Sequence, residues 1–263
     1  MPDGGVLSGL TIVVTRPADQ AAVTARLLRD AGARVIEFPV LGIFPLDAIP
    51  SKNSLASAYA VIFVSANAVE HGVPVLKRGG ELAAGCYIMA IGQATARALA
   101  AAGFEKVVTP DASSDSEGLL ALPLLQEMKG KTVILVRGKS ESGGRRLIEE
   151  VLGARDARVD VLECYERRTM RPEESVTDAL RSEMKPGQGW VTMALSVETI
   201  DGFVDAMHAA GKALTSMPLL VPHARVAQAA RERGFGNVFE IPVSDTGLVG
   251  QIGSLKKQLV TAE

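Results

Sequence analysis

Leu10-Thr11-Ile12-Val13-Val14-Thr15-Arg16-Pro17, continuing to Gly32-Ala33-Arg34-Val35-Ile36-Glu37-Phe38, is the stretch whose reading decides the fold. The run Leu10 to Val14 is short, apolar and β-branched, which reads as a buried strand. Pro17 suits the first turn of a helix, Val23, Leu27 and Ala31 recur at helical spacing, and Gly32 ends that helix. A second strand follows over Arg34 to Phe38. Strand, helix and strand in this order build a parallel βαβ unit.

The unit recurs. Thr132 to Cys164 has the same order, with Arg137-Gly138 after its first strand and Gly153-Ala154 before its second. A further pair of strands, Ala60-Val61-Ile62-Phe63-Val64-Ser65 and Ile88-Met89-Ala90-Ile91-Gly92, each with a helix and closed by Gly103-Phe104, is echoed too. Its counterpart is Trp190-Val191-Thr192-Met193, then Pro218-Leu219-Leu220-Val221 with a helix and Gly234-Phe235. The exits match as well: Val107-Val108-Thr109-Pro110 with Ser116-Glu117-Gly118-Leu119, against Val238 to Pro242 with Asp245-Thr246-Gly247-Leu248. Self-similarity of this extent points to a duplicated α/β domain. Two crossings marked by proline or charge, Phe38 to Pro45 and Glu163 to Thr169, are candidate linkers. Running in opposite senses they could pair as a short ladder and act as a hinge.

Length and composition agree with two domains. The chain has 263 residues, 47% hydrophobic and 22% charged, enough for two cores of ordinary size. Met1-Pro2-Asp3-Gly4-Gly5 has no basic start or apolar stretch, and no run approaches membrane-spanning length, so a cytoplasmic location away from membranes is expected. A formal net charge of −2, with both signs interleaved, supplies no field for nucleic acid. Cys86 and Cys164 are far apart and read as core thiols rather than a disulfide or a zinc site. His71, His208 and His223 fall in unrelated surroundings, with no metal-ligand spacing among them.

Open α/β sheets bind ligands beyond the carboxyl ends of their strands, where helix N-termini offer free N–H groups. Six junctions lie there: Thr15-Arg16, Ser65-Ala66-Asn67, Gly92-Gln93-Ala94-Thr95, Arg137-Gly138, Ser196, and Pro222-His223-Ala224-Arg225. If the two copies face each other, these junctions line one cleft suited to a ligand with many carboxylates. Each residue also has an ordinary reading. Arg16 and Arg137 can simply solvate a loop, Ser65, Asn67 and Ser196 can cap helices, and Thr95 can belong to a first turn. His223 can be a general acid or an incidental surface residue, and Tyr165 can be a core aromatic. The glycines from Gly138 to Gly144, with Lys139, lack the order of a phosphate loop, and no G-x-G-x-x-G follows the first strand, so no nucleotide cofactor is expected.

Several stretches together resemble the uroporphyrinogen-III synthase family over nearly the whole chain. They are Val13-Val14-Thr15-Arg16-Pro17, Phe63-Val64-Ser65-Ala66-Asn67-Ala68-Val69, Ala90-Ile91-Gly92-Gln93-Ala94-Thr95-Ala96, Ser116-Glu117-Gly118-Leu119, Val136-Arg137-Gly138, Cys164-Tyr165-Glu166-Arg167 and Pro222-His223-Ala224-Arg225-Val226-Ala227. The resemblance implies two similar, flavodoxin-like α/β domains with parallel sheets, joined by a two-stranded connector. One would comprise 1–38 with 168–263, the other 39–167. It also implies a monomeric, cofactor-free and metal-free enzyme that closes hydroxymethylbilane, a linear tetrapyrrole, into uroporphyrinogen III with the last ring inverted and water lost.

Closure without an enzyme yields the uninverted isomer, so the task is mainly one of orientation. Tyr165 matches the family's tyrosine and becomes the candidate acid for the departing hydroxyl, its phenol ordinarily ionising only near pH 10. Arg16, Ser65, Ala66, Asn67, Gly92, Gln93, Thr95, Arg137, Ser196, His223 and Arg225 become candidate substrate contacts. The sequence departs from the family at Met193-Ala194-Leu195, where a Thr-Ser pair is common, at Gln93, which replaces a common proline, and over Lys139 to Ser142, longer than the usual loop. Duplicated α/β halves also build hinge-closing ligand binders, and the Met193-Ala194-Leu195 junction would suit a non-catalytic paralogue.

Overall fold

A computed structural model describes residues 4–110, 115–139, 146–184, 188–208, 212–241 and 247–261. The glycine-rich segment following Lys139 and the exit residues Pro242, Asp245 and Thr246 lie outside them. In chain order the first elements are β1 (Thr11–Val14), α1 (Ala18–Asp30), β2 (Arg34–Glu37), β3 (Leu41–Pro45), α2 (Lys52–Ala56) and β4 (Ala58–Phe63). Next come α3 (Ala66–Gly79), β5 (Tyr87–Ala90), α4 (Gln93–Ala101), β6 (Val107–Val108), α5 (Ser116–Ala121), β7 (Thr132–Lys139), α6 (Leu147–Ala154) and β8 (Arg158–Thr169). The chain ends with α7 (Glu174–Glu183), β9 (Trp190–Met193), α8 (Val197–Ala206), α9 (Lys212–Thr215), β10 (Leu219–Val221), α10 (Ala224–Glu232), β11 (Val238–Glu240) and α11 (Leu248–Thr261).

These elements form two compact units, Met1–Gly42 with Arg168–Glu263, and Ile43–Arg167. The first division follows Gly42, where the sequence reading placed it after Phe38. Both divisions fall inside strands, β3 and β8. The expected second crossing is therefore no separate linker but the continuation of β8, which runs unbroken for 12 residues.

The first unit holds a five-stranded sheet in the order β11-β10-β9-β1-β2, and the second a six-stranded sheet in the order β3-β8-β7-β4-β5-β6. Apart from β3 on the outer edge, the two layouts coincide. Pairing registers make the correspondence residue by residue. Thr11 faces Arg34 as Thr132 faces Arg158, so Arg16 corresponds to Arg137. Val13 faces Thr192 as Ile134 faces Val61, so Ser196 corresponds to Ser65. Leu219 faces Thr192 as Ile88 faces Val61, so His223 corresponds to Gly92.

Each sheet takes two strands from one repeat and three from the other: β1 and β2 pair with β9 to β11, while β7 and β8 pair with β4 to β6. The adjoining strands β1 and β9, and β7 and β4, are where strand order reverses, the place at which such sheets open a ligand crevice.

Both sheets are buried on both faces, which explains runs such as Ile12-Val13-Val14 and Val133-Ile134-Leu135-Val136. In the second unit Val61, Phe63, Ile134 and Val136 face α3 and α4, while Ala60, Ile62, Val133 and Leu135 face α5 and α6. Strand alternation alone accounts for that division.

The first helix forms where expected but turns differently. Ala21, Thr24, Ala25 and Leu28 are buried, and Val23 is 59% exposed. Small residues at Ala21 and Ala25 let the helix backbone lie close to the sheet, which a stripe through Val23 would not.

Candidate active site

At four junctions between strand and helix, the residue before the helix determines how its first N–H groups are met. Ser65 and Ser196, at corresponding positions, are both extended N-caps. The Ser65 hydroxyl accepts the Ala68 N–H at 3.0 Å. The Ser196 hydroxyl accepts the Thr199 N–H at 3.3 Å, and Thr199 Oγ1 accepts the Ser196 N–H at 3.0 Å, which completes a capping box. The next pair behaves differently. Gly92 and His223 cap α4 and α10 with extended backbones and no side-chain hydrogen bond. Helix starts of this kind leave N–H groups and a positive dipole end for an anion.

In the second unit an irregularity in β8 assembles a polar cluster. Arg137 faces Glu163 but Gly138 faces Tyr165, so Cys164 is an extra residue on one strand, a β-bulge. Without it Tyr165 would share a face with Val159, which packs on the α6 side. With it, Leu162, Cys164 and Tyr165 all pack against α3 and its neighbours. Tyr165 is 4% exposed, and its hydroxyl lies 3.2 Å from Ser65 Oγ.

The ring of Tyr165 is closely held. A Cβ at Gly138 would stand 2.5 Å from its Cζ, so only glycine fits beneath it. The half-buried His71 ring approaches it at 5.6 Å between centroids with a 42° tilt. Its helix comes this near because Gly72 has no side chain; a Cβ there would collide with Val136 and touch Cys164 Sγ at 3.4 Å. Sequence reading passed over His71 for want of a metal-binding partner. The signal that could have found it is helical spacing, since Ala68, whose carbonyl meets Cys164 of β8, precedes it by three residues.

The other expected residues are dispersed. Ala66 and Gln93 are exposed beside the cluster-bearing strand ends, Asn67 is half-buried in the first turn of α3, and Thr95 is buried in the first turn of α4. Arg137 turns to the opposite face of the sheet, where its guanidinium meets Glu149 at 2.5 Å and Glu163 at 3.1 Å. Two carboxylates already answer its charge. Its counterpart Arg16 lies back along α1, donating to Thr24 Oγ1 at 2.8 Å and Gln20 Oε1 at 3.3 Å. Beside it Thr15 Oγ1 donates to the Met193 carbonyl at 2.9 Å and ties β1 to β9. His223 and Arg225 are exposed at the start of α10. Met193 and Ala194, in the junction that departs from the family pattern, are fully buried.

Both thiols are unsuited to nucleophilic roles: burial pushes Cys86 and Cys164 up to about 11. Among the described residues no three His, Cys, Asp or Glu side chains come together as a metal site, and no helix is long and apolar enough to cross a membrane.

Comparison with known proteins gives this geometry a family. The sequence pattern described as uroporphyrinogen-III synthase HemD matches residues 22–246. The chain is 32% identical over 163 residues to the uroporphyrinogen-III synthase of Escherichia coli (strain K12), covering 60% of this chain and 65% of that protein. It is 34% identical over 183 residues to the Synechococcus elongatus uroporphyrinogen-III synthase, covering 66% of each. The aligned part is thus just under two thirds of either relative's length.

Two solved structures share the fold. One is a mutant uroporphyrinogen III synthase from the extremely thermophilic bacterium Thermus thermophilus, with a TM-score of 0.56, 21% identity and 95% and 99% of the two chains covered. The other is the uroporphyrinogen-III synthetase from Helicobacter pylori, with a TM-score of 0.62, 18% identity and 94% and 99% covered. With the family pattern spanning most of its length, the chain belongs to the uroporphyrinogen-III synthase family.

Proposed function

We propose that this protein cyclises hydroxymethylbilane to uroporphyrinogen III with inversion of the last ring, as a cytoplasmic monomer that needs neither metal nor cofactor. The observation that carries the reading is the buried Tyr165 hydroxyl beside Ser65 at the carboxyl end of the second sheet, in a chain of this family.

The chemistry asks for an acid and for restraint. Tyr165 gives its proton to the terminal hydroxyl, which leaves as water, and the cationic pyrrole that remains is attacked by the substituted carbon of the last ring. Such proton donation contributes about a hundred- to ten-thousandfold. In each unit a helix start free of a side-chain cap, α4 in one and α10 in the other, offers main-chain N–H groups to carboxylates. Gly92, Gln93 and Thr95 belong to the first of these sets, and His223 with the cationic Arg225 to the second. Ala66, Asn67 and Ser196 contribute at the neighbouring helix starts, together with Ser65 through its main chain only. Arg16 and Arg137, engaged with their own neighbours, shape the strand ends from which these donors project.

Incubation with enzymatically generated hydroxymethylbilane, followed by isomer analysis, tests the reading. Isomer III is expected well above the spontaneous background, and Tyr165→Phe is expected to lower its formation about a hundredfold or more with the fold intact. A folded protein that leaves the product mixture the same as spontaneous closure overturns the proposal.

A further inference from the structure

The contact between Ser65 and Tyr165 has a definite proton count. A hydroxyl carries one proton and two lone pairs. One lone pair of Ser65 Oγ is occupied by the Ala68 N–H at 3.0 Å, and the second hydroxyl, Tyr165 Oη, lies 3.2 Å away. One hydrogen bond between two hydroxyls consumes one of their two protons and leaves the other for a further partner. When Ser65 donates, the remaining proton is the phenol's.

The surroundings hold the two hydroxyls beside each other. Gly138 and His71 bound the tyrosine ring, and the Ser65 backbone is anchored as the N-cap of the 14-residue α3. Arg137 lies on the far face between Glu149 and Glu163. The corresponding serine of the first unit has no such role, because Ser196 is closed on Thr199 in its capping box.

We propose that Ser65 is the positioning residue for proton donation by Tyr165: fixed through the first turn of α3, it donates to the phenol oxygen and leaves the phenol proton for the substrate. This rests on the reading of the protein as a hydroxymethylbilane cyclase. The carbon–oxygen bond of the terminal hydroxymethyl group breaks with its electron pair on oxygen, and that oxygen takes the Tyr165 proton and departs as water. The Ser65 hydrogen bond steadies the phenolate left behind, a bond to a charged group and so stronger than the neutral one it replaces. The substituted carbon of the last ring bonds to the cationic methylene, and its older bond to the neighbouring bridge carbon breaks. That bridge carbon bonds to the ring's unsubstituted carbon, whose proton is released and restores the phenol.

The test uses the intact protein. Ser65→Gly removes the hydroxyl at little cost in capping, so the fold persists where Ser65→Ala weakens it. Turnover is expected to fall about tenfold to a hundredfold in both variants with KM changed less than about twofold. Ser65→Thr restores it to within about threefold. In a Tyr165→Phe background Ser65→Gly has no further effect, since the two act as one unit. A raised KM with unchanged turnover, or a loss that multiplies with that of Tyr165→Phe, overturns the proposal by making Ser65 a direct substrate contact.

A readout without substrate keeps this separate from the function itself. The 13Cζ resonance of Tyr165, assigned by its absence in Tyr165→Phe, is expected to move in Ser65→Gly and to stay in place in Ser196→Ala. An unmoved resonance in Ser65→Gly defeats the inference even if isomer III is made; a moved one, with no isomer III from the unaltered protein, defeats the function and leaves the hydrogen bond standing.

Discussion

Gly138 lies directly beneath the end of the Tyr165 ring, so close that an added Cβ would be 2.5 Å from Cζ, 2.6 Å from Cε2 and 2.9 Å from the hydroxyl oxygen. All three distances are shorter than any relaxed carbon contact, and the atoms concerned belong to a buried ring rather than a flexible chain end. The glycine is there for space.

Gly138→Ala is therefore expected to swing the tyrosine away from Ser65. Turnover falls towards that of Tyr165→Phe, and stability drops by about 1–3 kcal/mol through overpacking. Adding Tyr165→Leu should return most of the stability and none of the activity. Thermal melts of the three variants check this, and a fully stable, active Gly138→Ala would refute the packing argument.

Thr192 offers a stabilising change. It is 2% exposed in the middle of the first sheet, and its hydroxyl has no hydrogen-bond partner among the described residues. The corresponding residue of the other unit is Val61. Thr192→Val keeps the shape and removes a desolvated hydroxyl, so it is expected to raise stability by about 1 kcal/mol. The reverse change, Val61→Thr, should cost about 1–3 kcal/mol. Chemical denaturation of both measures the effect, and a less stable Thr192→Val would mean that the hydroxyl is satisfied after all.

Arg137 separates two carboxylates that would otherwise face each other, Glu149 on α6 and Glu163 on β8. With the arginine side chain 18% exposed, Arg137→Met is expected to lower stability by about 2 kcal/mol, less than for a fully buried pair because Glu163 still reaches water. Glu149→Gln added to it should recover part of the loss. No recovery in the double variant would show that the arginine's stem, rather than its charge, is what matters.

Cys164 links stability to alkaline pH. Burial raises its thiol from the ordinary 9.0 to about 11, so the folded chain keeps a proton that the unfolded chain gives up. The contribution is fully present below pH 9 and disappears as pH rises to about 11, on the order of 2 kcal/mol in all. Denaturation midpoints should fall across that window, and less steeply in Cys164→Ala. In the folded protein at neutral pH the same thiol should resist alkylation, as the reactive species is the thiolate.

Much of this architecture was legible because parallel strands buried on both faces leave continuous apolar runs, and the repeat displayed those runs twice. Ser65 and Ser196 could be read as helix caps from their place between a strand and a helical pattern. Other features had no local signal. The buried face of α1 passes through Ala21 and Ala25 rather than Val23, since backbone approach to the sheet favoured small residues over the most apolar ones. Arg16 and Arg137 read alike, as carboxylate clamps or as residues solvating a loop, and the side chains that engage them are distant enough in sequence, or ordinary enough, to escape notice. His71 became relevant only when a bulge turned Tyr165 towards it.

The amino-acid order by itself determined the strands, the helices and the existence of two copies, because hydrophobic period and capping chemistry act over a few residues. Which copy's strands pair with which was decided by tertiary structure, since the same edges satisfy their hydrogen bonds either way and only the packed layers distinguish them. The single extra residue at Cys164 belongs to the same class: it reverses the face on which Tyr165 lies, and that reversal is visible only where β8 is laid against β7.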